Sequence, residues 1–208
     1  MRLGRTPLSL RMPGEVLYYD YPGAPLVDSL MPDVPGKVSE PYSGIVALES
    51  IDSAGAWIAS PIELVRIVTM LDGWGVPALL SPESVQQMVT PVFTVPGVGL
   101  DAGNPFYVGL GIGMDSPAPD ATWVHDGGTF GTRAFICRPG HGWAWAVTFN
   151  SAPQTTLYSS TGSADFDTAL RRMFSRDTLE SVSWFEGDLF QQYLPPARQK
   201  FREGRPFE

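Results

Sequence analysis

The chain is short of cysteine, of basic residues and of long apolar runs, and each shortage narrows what it can be. One cysteine among 208 residues cannot close an intramolecular disulfide. Cys137, between Ile136 and Arg138 in an apolar stretch, therefore reads as a buried structural thiol. Lysine and arginine number 14 against 22 acidic residues, for a net charge of −8. Phosphate backbones need a basic surface, so no nucleic-acid partner is expected, and the acidity serves solubility. No apolar run reaches the length of a membrane span, and residues 1–5 do not begin a secretion signal, so no membrane partner is expected and the compartment stays open. The two histidines, His125 and His141, have no second ligand at metal spacing, and no metal or other cofactor is expected. A Gly-x-Ser-x-Gly nucleophile elbow is absent as well.

Proline (20) and glycine (22) are plentiful, so much of the chain must be turns and loops. They are densest over residues 13–41, where no apolar period survives. A hydrophobic fraction of 43% nonetheless supports one globular domain over residues 1–208. Within it, residues 1–50 form an irregular segment, 50–176 a core portion and 177–208 a helical tail.

Local signals define the core portion. Ser60-Pro61-Ile62-Glu63 combines an N-cap, a first-turn proline and a capping-box glutamate, predicting a helix that runs to Gly73. Ser81-Pro82-Glu83 repeats the device for a second helix, ending near Met88 before Pro91. From Phe106 to Met114, apolar residues alternate with glycine, predicting one strand with a nearly bare face over which something packs closely. The glycines there are not a phosphate cradle, because no helix start follows them. Residues 133–138 and 143–149 flank Pro139-Gly140-His141-Gly142 and predict a hairpin, with His141 exposed in its turn. A third helix is expected over residues 163–176.

The most informative stretch precedes that hairpin: Trp123-Val124-His125-Asp126-Gly127-Gly128-Thr129. An imidazole and a carboxylate end an apolar run, and two glycines then remove side-chain bulk, so that a ligand can approach the backbone. Asp126 should face away from His125 and reads as a solvated loop-edge carboxylate. Gly127 and Gly128 fit either a β-bulge or close substrate approach. Thr129 could contact a substrate carbonyl or bond within the turn. The aromatic residues Trp123, Trp143, Trp145 and Phe149 read as core rather than as a carbohydrate platform.

The order of these motifs resembles the C-terminal half of the class C-type β-lactamase-related and penicillin-binding-protein-like serine hydrolases, over roughly residues 50 to 176. His125-x-Gly corresponds to the family's Lys-Thr-Gly or His-x-Gly motif on the strand that lines the active site. The resemblance implies an α+β fold: an antiparallel sheet flanked by helices, the C-terminal part of the β-lactamase/transpeptidase-like fold. It implies a substrate-binding role for His125, Gly127, Gly128 and Thr129, and an oxyanion donor two or three positions after His125. It also implies an ester, amide or peptide substrate and an acyl-serine mechanism.

The family's other two motifs are missing. Neither lysine, Lys37 or Lys200, has a serine three residues before it, so Ser-x-x-Lys is absent. Neither asparagine, Asn104 or Asn150, has a tyrosine two residues before it, so Tyr-x-Asn is absent. Tyr19-Asp20-Tyr21 is polar and aromatic but lies where the family has passed its Tyr-x-Asn motif. The chain is therefore expected to hold no nucleophile or base and to be inactive alone. It reads as the later portion of a longer hydrolase, partnered by an N-terminal half or by a second copy of itself. The alternative is a non-enzymatic binding or interaction domain derived from the same fold.

Overall fold

A computed structural model describes residues 1–42, 46–71, 78–97, 103–118, 120–139 and 144–151. The chain divides into two units, Met1–Ser175 and Arg176–Glu208, and every described residue belongs to the first. The helix expected over residues 163–176, the tail from 177, the Gly73 stop and the turn around His141 all lie outside the described residues.

Short elements open the chain: β1 (Arg2–Leu3), β2 (Val27–Asp28), β3 (Lys37–Val38), α1 (Leu48–Ile51) and β4 (Trp57–Ile58). β1 pairs with β4 and β2 with β3, both antiparallel, and the rest of this stretch is turn-rich, as its proline and glycine content requires.

Two helices follow, α2 (Pro61–Leu71) and α3 (Pro82–Met88). Each starts where its capping residues predict. In α2 the Ser60 N–H donates to Glu63 Oε2 at 2.9 Å and the Glu63 N–H donates back to Ser60 Oγ at 3.3 Å, a reciprocal capping box. In α3 the Ser84 N–H donates to Ser81 Oγ at 3.2 Å. The apolar stripe of α2 is only half-buried apart from Val68.

Six strands then form one antiparallel sheet: β5 (Phe93–Val95), β6 (Phe106–Val108), β7 (Gly113–Met114), β8 (Trp123–Thr129), β9 (Thr132–Arg138) and β10 (Trp145–Phe149). They lie side by side in chain order. The protein is thus α+β, with a strand-rich antiparallel sheet and α2 lying against β9 and β10. The predicted hairpin is present as β9 and β10, in register from Trp145↔Cys137 to Phe149↔Arg133. The irregular segment extends the sheet past β10: Tyr19 bridges Ser151, its N–H donates to the Asn150 carbonyl at 2.9 Å, and Asn150 Nδ2 donates to the Leu17 carbonyl at 2.9 Å.

One expectation fails here. Residues 106–114 are not a single strand but the hairpin β6–β7, with Tyr107 opposite Met114. Gly111 adopts φ +74, and the Gly109 N–H donates to the Ile112 carbonyl at 2.8 Å, which reverses the chain. The close packing expected over the glycines does occur. A Cβ on Gly109 would lie 2.2 Å from the Met88 carbonyl oxygen, and one on Gly113 would lie 2.0 Å from the Phe106 ring.

A core sits under these strands. Ile112, Met114, Ala121 and Trp123 are buried together, with Leu71 of α2, Val85 and Met88 of α3, and Tyr107 packed against them. Tyr107, Met114 and Trp123 stand opposite one another across three strands, so one row of side chains ties β6, β7 and β8 to both helices.

Candidate functional site: the open edge of a central strand

All four residues singled out in the sequence, His125, Gly127, Gly128 and Thr129, lie on β8. The register with β9 is unbroken from Trp123↔Arg138 to Thr129↔Thr132, so Gly127 and Gly128 form no bulge. Phe130 and Gly131 make the turn between the strands. Gly131 has φ +73, and a Cβ there would lie 2.5 Å from Pro41 Cγ, so both conformation and space demand glycine.

The two-residue turn fixes which peptide groups face which neighbour. Thr129 and Thr132 close it and must exchange hydrogen bonds, and along an antiparallel strand this role alternates. Gly127 and His125 therefore spend their N–H and C=O groups on β9. Gly128 and Asp126 point theirs to the other side. Thr122 has the same parity, and its carbonyl accepts from the Asp115 N–H at 3.4 Å on that side. β7, however, covers only Trp123 and Val124. Beyond them the N–H and C=O of Asp126 and Gly128 have no partner among the described residues.

Exposure changes at the same point. Trp123 is 5% exposed and Val124 3%, whereas residues 125–128 are all exposed. The Arg138 guanidinium lies 4.4 Å from the centre of the Trp123 ring, closing that end further. The strand's period puts His125, Gly127 and Thr129 on one face and Asp126 and Gly128 on the other. Thr129, half-buried, pairs with Thr132. The two glycines differ sharply in surroundings: a Cβ on Gly127 would meet nothing within 4 Å, whereas one on Gly128 would lie 2.9 Å from both Arg133 Cδ and the Thr132 carbonyl oxygen.

Asp126 is exposed, as expected, but it is not at a loop edge. It lies within β8 and pairs through Oδ2 with Arg133 Nη2 at 2.9 Å. Arg133 stands diagonally across the strand pair on the same face, and its side chain is only 10% exposed. The carboxylate helps balance a nearly buried guanidinium beside Gly128. Sequence reasoning did not anticipate this pair; the signal available was the alternation of Arg133 with Phe135 and Cys137, which puts all three on one strand face. Both Phe135 and Cys137 are buried, the latter as expected for a structural thiol.

Among the described residues no group of three or more histidine, cysteine or acidic side chains could hold a metal ion, and no helix is long and apolar enough to cross a membrane. No protein-family model, curated protein or solved structure matches the chain.

Proposed function

We propose that this chain supplies the substrate-holding strand of a β-lactamase-like serine hydrolase of esterase or peptidase type. The serine and its base come from residues outside this chain. The open edge of β8 carries the reading: a strand held firmly on one side by β9 presents the peptide groups of Asp126 and Gly128 on the other. An extended acyl substrate can pair with such an edge as an added strand would.

Strand parity supports Gly128 over Gly127 as the oxyanion donor. Gly127 bonds to β9, so the N–H three positions after His125, that of Gly128, is the one available to a substrate carbonyl. As a serine attacks, the carbonyl oxygen gains charge, and a backbone donor fixed in a sheet stabilises that charge without reorganising. Gly127 leaves the adjacent face bare for close approach. His125, exposed on that face, stands at the family's lysine-or-histidine position, where it orients the substrate or the relay tyrosine.

The experiment has two arms. The purified chain, offered a chromogenic ester and a chromogenic β-lactam, is expected to turn over neither. Protein isolated from its native source is expected to exceed the 22.6 kDa of this sequence and to be labelled on serine by a fluorophosphonate. Turnover by the chain alone that is lost when one of its serines is replaced would overturn the reading. So would an unlabelled native protein of 22.6 kDa, which would instead indicate a binding or interaction domain.

A further inference from the structure

A second site lies in the irregular segment, in the Tyr19-Asp20-Tyr21 motif that the hydrolase reading leaves unused. A cavity of about 370 Å³ opens there, lined by Leu8, Val34, Val38, Tyr18, Tyr42 and Asp20. The Tyr18 and Tyr42 rings are 6.2 Å apart at 45°, and the Tyr42 hydroxyl accepts from the Tyr18 N–H at 2.7 Å, so the two rings are held in a fixed relation. Exposed Tyr19 adds a third ring to the lining.

Two buried carboxylates lie at and behind the Asp20 side of this aromatic cavity. Asp20 accepts from the Tyr21 N–H through Oδ1 at 2.9 Å, but its Oδ2 is buried and has no hydrogen-bond partner among the described residues. Glu40 is 9% exposed, and its Oε2 is likewise buried without a partner among the described residues. The two carboxylates sense each other: burial and then the Asp20 charge hold the Glu40 carboxyl above the usual carboxylate range. None of the ion pairs formed by Met1, Lys37 and Arg133 reaches either group. Buried carboxylate oxygens without donors are costly, and the cost is relieved by a cation.

We propose that this cavity binds a small organic ammonium ion, its charge on the Asp20 side and its alkyl body against Tyr18 and Tyr42. Tyrosine faces attract cations that are weakly hydrated, and apolar walls favour one that carries hydrocarbon. A hydrated metal ion would gain little from Leu8, Val34 and Val38, and an anion would be repelled by Asp20 at the wall and by Glu40 behind it. The dimensions suit a single small ligand. The hydrolase site contributes no residue here, so either reading can fail without the other.

The test titrates the full 208-residue chain with choline and with 3,3-dimethylbutan-1-ol, its uncharged carbon counterpart, following tyrosine resonances. Choline is expected to bind and to shift Tyr18 and Tyr42, with the alcohol at least about tenfold weaker. D20N should weaken choline about tenfold while leaving the alcohol unchanged. E40Q, a second variant should D20N not fold, should weaken choline to a smaller extent. Equal binding of alcohol and choline, choline affinity indifferent to both substitutions, or no shift of either tyrosine at saturating choline would each overturn the proposal.

Discussion

The two ends of β8 follow the same backbone path and meet different surroundings. Trp123 and Val124 are shut between β7 and β9, and Trp123 also packs with Met114 and Ile112 and beneath Arg138. Three residues later, Gly127 and Gly128 are paired on one side only and exposed. The change falls at the N-terminal end of two-residue β7, where Gly113 opposite Val124 gives way to the Gly109–Ile112 turn of the β6–β7 hairpin. Ending a neighbouring strand early turns part of an interior strand into an edge without an extra residue or a bulge. The buried end supplies rigidity, and the open end has hydrogen-bonding groups to offer. Open edges invite unwanted pairing, and this one is short and rimmed by His125 and Asp126.

Substitutions along the strand should separate these roles, and the largest effect belongs to the buried end. Trp123→Ala removes a core aromatic and the platform for Arg138, and should cost about 3–5 kcal/mol in denaturant unfolding. Gly128→Ala comes next. Its Cβ would press on the Thr132 carbonyl and on Arg133, for about 1–3 kcal/mol. A neutral result there would mean that the strand pair is looser than drawn. Asp126→Asn keeps the shape and removes the charge facing Arg133. Because Asp126 is 42% exposed and solvent screens the pair, the loss should stay below about 1 kcal/mol and shrink in high salt. Gly127→Ala should be the mildest, within about 0.5 kcal/mol of the parent, since its Cβ meets nothing. On the proposed hydrolase reading, the same substitution should lower turnover by the complete enzyme by at least about tenfold, a loss of function without a loss of stability.

What could be read from the sequence was local. Ser60-Pro61-Ile62-Glu63 and Ser81-Pro82-Glu83 announce helix starts because a cap needs only its own first turn. The hairpin of β9 and β10 follows from alternation on both sides of a proline-glycine turn. The row of glycines in residues 106–114 was misleading because alternation with glycine also fits two short strands. Only the left-handed backbone at Gly111 distinguishes them. The Asp126–Arg133 pair required the register across a turn, which no single-strand pattern contains. The burial of Glu40 lies in a stretch with no period at all, so nothing local announces it. For the site, the sequence located His125, Gly127, Gly128 and Thr129 on one segment. Which glycine offers its N–H needed the pairing pattern.

Amide hydrogen exchange along β8, read residue by residue by NMR, is the most direct measurement of this account. The His125 and Gly127 amides should be protected together with the core of β9, while those of Asp126 and Gly128 exchange at least about a hundredfold faster. A Gly128 amide as slow as that of Gly127 would mean that the edge is already occupied, and β8 would not be the strand that holds a substrate.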